Sequence, residues 1–307
     1  MDVDLFISQT LNGIGNGVVY ASIALALVLI FRTTGLLNFA QGEMALFSTY
    51  VSWWLTSKGL SIGLAILLSM AFSFVAGAVI ERTLIRPVEK AHSPLNVVIV
   101  TLGMFLALNS LVQVFFGTDA QQMPKPWPTR ASPGSPVGIT KVIDVGGVQV
   151  SWAVIALAIA LALECLVLYV LLQRTKLGLK LRAVASNPES SRLSGINSGQ
   201  MLMLGWAMAA ALGAIAGTMV AASRTGFDVS LMQTVLVYAF AAAALGGFDS
   251  PLGAVVAGLV VGVADAWTIQ YVDFLDGIEL VVPLGLILVV LIVKPTGLFG
   301  KKTVERV

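Results

Sequence analysis

The chain has 307 residues, 57% of them hydrophobic and 11% charged, with a mean hydropathy of +0.92. That composition excludes an ordinary soluble domain. A net charge of +2 says little about nucleic acid, because the basic residues sit between apolar runs and not in one patch, and no nucleic-acid partner is expected.

Apolar windows between charged or Pro/Gly-rich breaks predict spans near 5–31, 36–57, 60–80, 94–117, 151–173, 201–222, 231–246, 251–270 and 278–293. The expected fold is therefore all-α: a single polytopic transmembrane domain, residues 1–307, with about 8–10 spanning helices. Asp2 and Asp4 stand where a secretory signal would place basic residues, so the first span is expected to stay attached. The second window is interrupted by polar residues and reads either as a crossing or as a re-entrant segment. Within it, Asn38, Gln41, Gly42 and Glu43 form a polar island just after the Arg32–Gly35 break. Polar, irregular backbone is tolerated at membrane depth only against protein or a water-filled cavity, which makes these four residues candidates for bordering a translocation path.

The loop 118–150 begins with Pro124, Pro126, Pro128, Pro133 and Pro136 and ends in an alternating stretch around Gly146-Gly147, which predicts a β-hairpin. It reads as a solvated cap or as a landing surface for an external partner. Glu164 and Asp265 fall inside later spans. An acid there costs on the order of 3 kcal/mol unless compensated, so each is a hydrogen-bonded packing residue or a path residue; Asp265 joins the path candidates. Cys165, the single cysteine, excludes an intrachain disulfide and reads as a buried thiol.

Residues 174–200 form a second hydrophilic loop. Inside it RAVASNPESSRLSGIN, 182–197, carries the punctuation of a short helix: Asn187 as N-cap, Pro188 at the first helical position, Glu189 near the positive end of the dipole and Gly195 as the stop. Flanked by Arg182 and Arg192, it suits a rigid knob for a groove on a partner, or an ordinary connecting loop. Gly13-x-x-x-Gly17, Gly213-x-x-x-Gly217 and Gly258-x-x-x-Gly262 predict close helix packing.

Charge sets the orientation. With the amino terminus outside, the cytoplasmic loops hold Arg32, Arg82, Arg86, Lys90, Arg174, Lys176, Lys180, Arg182, Arg192, Lys294, Lys301, Lys302 and Arg306. The outer loops keep only Lys58, Lys125, Arg130, Lys141 and Arg224, which favours an outside amino terminus and a cytoplasmic carboxyl terminus.

No engine is evident. GLFGKKT, 297–303, fails the phosphate-loop spacing, because two residues separate Gly297 from Gly300 and Lys302 follows Lys301. His92 is the single histidine, and neither a catalytic constellation nor a metal set accompanies it. The scattered acids form no relay of the kind a proton-coupled secondary transporter would use, although that class stays open as an alternative.

NFAQGE (38–43), ERTLIRPV (81–88), RAVASNPESSRLSGIN (182–197), ALGGFDSPLGAVVAG (244–258) and KPTGLFG (294–300) together resemble, across essentially the whole chain, the permease subunits of branched-chain amino acid ABC importers of the Liv H type. The resemblance implies a bacterial inner-membrane permease that is not itself an enzyme. Its partners would be two ATPase subunits carrying ATP and Mg, a second related permease (identical or not) and a periplasmic solute-binding protein. No cofactor is expected on this chain. It also implies that the 182–197 stretch docks on an ATPase, through Arg182, Ala183, Asn187, Pro188, Glu189, Leu193, Gly195 and Ile196, with Arg192 beside them. Ser190 and Ser191 stand where relatives commonly have alanine, Ser194 where many have a larger apolar residue, and Gln41 where many have histidine. Urea, short amides or other amino acids are alternative cargoes, since related permeases share these motifs.

Overall fold

The computed structural model describes residues 3–89, 94–132, 135–145, 148–272, 274, 278 and 280–300. Lys90, His92, Pro133, Gly146, Gly147, Lys301, Lys302 and Arg306 lie outside them. All nine apolar windows are helical: α1 (Val3–Thr34), α2 (Gln41–Ser57), α3 (Ile62–Ile80), α5 (Pro94–Phe116), α6 (Trp152–Arg174), α9 (Ser198–Ser223), α10 (Leu231–Gly246), α11 (Pro251–Tyr271) and α12 (Val281–Val293). Between them lie α4 (Arg86–Glu89), α7 (Lys176–Ser186) and α8 (Pro188–Leu193).

Among the described residues, six helices are long and apolar enough to cross a membrane on their own, namely α1, α3 with its extension to Val88, α5, α6, α9 and α11. Of the other three, α10 fills its 16-residue window from 231 to 246, while α2 and α12 are shorter than their apolar runs suggested. At ~1.5 Å per residue, the 13-residue α12 extends ~20 Å, less than the ~30 Å of hydrocarbon. Helix α2 starts at Gln41, not at residue 36, because Gly35 adopts φ +71° and residues 36–40 are irregular. From Gln41 it runs unbroken for 17 residues, ~26 Å, with no turn-back inside it.

The chain divides into two compact units, residues 1–28, 127–159 and 234–307 in the first and residues 29–126 and 160–233 in the second. In the first, the Gly13/Gly17 face of α1 lies on the Gly258/Gly262 face of α11. A Cβ on Gly17 would stand 2.8 Å from the Gly258 carbonyl oxygen, and one on Gly258 2.7 Å from the Ala21 backbone, so only glycine permits this approach. At one end of the same unit the segments 244–258 and 294–300 interlock: the Leu298 amide donates to the Leu245 carbonyl at 2.7 Å and the Phe299 amide to that of Gly246 at 3.1 Å. Ser250 caps α11 through the Gly253 amide, with Pro251 at the first position.

This unit also holds the strands of the 118–150 loop. The expected hairpin is present as β3 (Val142–Val145) against β4 (Val148–Ser151), with Val145 opposite Val148. A second hairpin, β1 (Thr129–Ser132) against β2 (Ser135–Thr140), lies in the proline-containing part of the loop, where the sequence reading placed no strand. Trp127 steadies it, its indole Nε1 donating to Thr140 Oγ1 at 2.9 Å.

In the second unit α2 packs on α3, α5 and α9, and short polar side chains stitch the contacts. Ser48 and Ser73 hydroxyls lie 2.6 Å apart, Ser69 donates to the Ser48 carbonyl at 2.6 Å, and Thr218 donates to Ser52 at 2.9 Å. Where α9 meets α2, Gly213 faces Ala45 and Gly217 faces Thr49. Lipid tails supply no hydrophobic drive between helices, so close backbone approach and buried hydrogen bonds hold such contacts. The outer faces of α3 and α5 expose Leu67, Val75, Leu106 and Val114, as lipid-facing surfaces do.

Candidate coupling segment and polar island

The loop 174–200 is a helix pair rather than a single knob. Thr175 caps α7 by accepting from the Gly178 amide at 3.0 Å, and Leu181 and Val184 bury its inner face. The sequence reading missed α7, although Leu177, Leu181 and Val184 recur at helical spacing behind a threonine cap. Gly178 sits directly against the Leu171 and Leu172 carbonyls at the end of α6, leaving no room for a Cβ. Arg182 lies on α7, its guanidinium bonded to Gln173 Oε1 at 2.9 Å, and Ala183 follows half-buried.

Helix α8 has the expected punctuation. Asn187 Oδ1 accepts from the Ser190 amide at 2.9 Å, Pro188 occupies the first turn with Glu189, and Gly195 closes the helix at φ +79°. The Gly195 amide returns to the Arg192 carbonyl at 3.0 Å and the Ile196 amide to that of Ser191 at 2.9 Å, so the carbonyls at this end are satisfied. Only Ser191 is buried in α8. Glu189 and Arg192 face outward, and Leu193 is 91% exposed at the tip.

The polar island divides into structural and unsatisfied parts. Asn38 donates to Gln41 Oε1 at 3.3 Å and accepts from the Ala40 amide at 3.0 Å, while Gln41 donates to the Ala209 carbonyl of α9 at 3.0 Å. These bonds bind the irregular 36–40 segment to the start of α2. Gly42 is buried beside them. Glu43 is fully buried; its Oε2 accepts from Asn109 Nδ2 of α5 at 3.0 Å, and its Oε1 has no hydrogen-bond partner. Two turns along the same face, the Tyr50 hydroxyl is likewise buried without a partner. Buried polar atoms are nearly always bonded, so two orphans on one face mark a place where the static packing is incomplete.

Asn109, which the sequence reading passed over, ties this face together. It donates also to the Val229 carbonyl at 2.9 Å and accepts from Gln113 at 2.7 Å. An Asn109-x-x-x-Gln113 amide pair at helical spacing in a largely apolar run was its signal. Next to Val229, Asp228 accepts from the Ser230 amide and hydroxyl, which hold its carboxyl below the usual aspartate range. Met44, Phe47 and Ser48 of α2, with Ser73, Leu108 and Ala210, help line an apolar cavity of about 170 Å³.

Asp265 lies elsewhere, in the first unit. It accepts from Tyr238 at 2.7 Å and Tyr20 at 3.3 Å, whose rings stack 4.5 Å apart, and so has the surroundings of a satisfied packing residue. Among the described residues, no three His, Cys, Asp or Glu side chains converge as a metal site would require.

Known proteins extend these observations. The family described as "Branched-chain amino acid transport system / permease component" matches residues 9–291. The high-affinity branched-chain amino acid transport system permease protein BraD of Pseudomonas aeruginosa is 30% identical over 98% of both chains. The corresponding LivH of Escherichia coli K12 is 29% identical, again over 98% of both. A probable LivH of Methanocaldococcus jannaschii is 26% identical over 91% of this chain and 87% of its own. With six helices able to span a membrane and a family match from the first helix to the last, this chain is a multi-pass membrane protein and belongs to the branched-chain amino acid transport permease family.

Proposed function

We propose that this chain is the transmembrane permease of an ATP-driven importer for branched-chain or related apolar amino acids. It lies in a bacterial inner membrane with its amino terminus outside and its carboxyl terminus in the cytoplasm. ATP and Mg bind to two partner ATPases, a second permease completes the pore, and a periplasmic solute-binding protein delivers the cargo. The family match and the named activities of BraD and LivH support the cargo class. The excess of basic residues in the loops assigned to the cytoplasm supports the orientation.

The observation that carries the reading is α8 itself: a six-residue helix fixed at both ends, presenting Glu189, Arg192 and a 91%-exposed Leu193. A rigid projection loses little conformational freedom when it seats in a groove, so movement of an ATPase reaches the helices instead of dissipating in a floppy loop. Inside the membrane the path runs past the Glu43 face of α2, a reading supported by the buried carboxylate oxygen that has no hydrogen-bond partner. Cargo exchange then follows from alternation between helix arrangements, with no bond made or broken in this chain.

The test is reconstitution of the intact importer with Glu189→Lys and Arg192→Glu introduced together. ATP hydrolysis is expected to persist while uptake falls at least about tenfold, the size of a typical coupling free energy. Uptake at the unmodified level would overturn the assignment of α8. Uptake by the purified chain alone under an imposed pH gradient, indifferent to ATP, would replace the reading with a proton-coupled one.

A further inference from the structure

Helix α3 does not end in an ordinary turn. Beyond Ile80 the chain continues through Glu81–Ile85 as a single π-turn, a local distortion that costs regular hydrogen bonding and recurs at functional positions. The π-turn brings Glu81 and Arg86 together as a two-pronged pair, with Nε to Oε1 at 3.1 Å and Nη2 to Oε2 at 2.7 Å. Glu81 is 1% exposed, so its position is set by the helix and not by solvent. Arg86 Nη2 has a second partner at 2.6 Å, the carbonyl of Gly199 in the first turn of α9.

Gly199 lies immediately beyond the coupling segment. Helix α8 cannot shift independently of that turn, because Ser198 Oγ donates to the Pro188 carbonyl at 3.3 Å, the Ile196 amide returns to Ser191, and Asn197 caps α9 through the Gln200 amide at 3.1 Å. Gly199 is also closely packed: a Cβ there would stand 3.2 Å from the Arg86 Cζ, so the guanidinium would have to shift by a few tenths of an ångström. A continuous chain of bonds therefore leads from Pro188 through Ser198, Gly199 and Arg86 to a carboxylate buried in α3.

We propose that Arg86 is a positioning residue that ties the start of α9 to α3, so that a displacement of α8 is delivered to the α3 span and, through the Ser48–Ser69–Ser73 contacts, to α2. The proposal rests on the reading of α8 as the coupling helix. Arginine is required for geometry more than for charge. Its planar fork holds a carboxylate with two nitrogens while sharing one of them with a carbonyl; a lysine ammonium keeps the charge but loses the fixed direction.

The test uses the intact importer in proteoliposomes, with Arg86→Lys and Gly199→Ala compared with the Glu189→Lys/Arg192→Glu swap. Spin labels are placed separately at Leu193→Cys and Thr83→Cys, both exposed positions, in a Cys165→Ser background. For Arg86→Lys, hydrolysis within about twofold of normal and an approximately tenfold loss of uptake are expected, on the scale of a site-to-site coupling. The ATP-driven response should survive at Leu193 and vanish at Thr83. A bond that only stabilises the fold would not separate those two labels. If the α8 swap uncouples transport while Arg86→Lys and Gly199→Ala both transport normally, the tie is overturned and the coupling helix stands. If the α8 swap also transports normally, the coupling reading itself falls. If Arg86→Lys fails to co-purify with its partners, Gly199→Ala decides the matter, and normal uptake with a moving Thr83 label in that variant overturns the tie.

Discussion

Asp265 sits between two tyrosine hydroxyls, 2.7 Å from Tyr238 and 3.3 Å from Tyr20, on a helix whose neighbouring turns are glycine and alanine. In the membrane interior an acid with such partners holds helices together, and measured interhelical hydrogen bonds there average ~0.6 kcal/mol with a maximum near ~1.7. Tyr238→Phe removes the shorter bond and is expected to cost about 1 kcal/mol, read as a lower thermal midpoint in detergent, with uptake retained. Asp265→Asn should behave the same way. Lost uptake at an unchanged midpoint would instead assign Asp265 to the path. Glu43 presents the opposite case, since a carboxylate with one orphaned oxygen has little packing role to lose. The sequence marked both acids for the same reason, an ionisable group in an apolar window, and had no means of separating them. What differs is the partner set, and the partners come from other helices: Asn109 for Glu43, Tyr20 and Tyr238 for Asp265.

At the scale of elements, the glycine pairs matter more than any apolar face. Gly13 and Gly17 meet Gly258 and Gly262 so closely that several virtual Cβ atoms overlap neighbouring backbone. Gly258→Leu cannot be absorbed by a rotamer change and is expected to separate α1 from α11, lowering the thermal midpoint and the yield of folded protein. Gly285→Leu, at a glycine where a Cβ meets nothing within 4 Å, is the control expected to be tolerated. These pairs were legible because close packing needs small residues at a spacing of four, a purely local signal. The α8 punctuation was legible for the same reason, as caps and a left-handed stop are written within a few residues. The π-turn at Glu81 was not: no local rule distinguishes ERTLI from an ordinary last turn, and the turn is tied down by a carbonyl in α9.

At the scale of the whole molecule, the reading depends on which loops face the cytoplasm. Single cysteines at Leu193 and Ile139, both exposed and introduced into a Cys165→Ser background, check it directly. A membrane-impermeant thiol reagent is expected to label Ile139→Cys in spheroplasts and Leu193→Cys only in inside-out vesicles. The reverse pattern would invert the orientation and remove α8 from any cytoplasmic partner. By itself the sequence determined the class of molecule, the placement of nine helices to within a few residues, the capped α8 and the family, because hydropathy, caps and motif order are properties of short windows. Tertiary structure decided which polar residues are satisfied, where α2 begins and that Arg86 joins two helices far apart in the chain. The physical reason is that burying a polar group is costly until a partner arrives, and a sequence window shows the need without showing the partner.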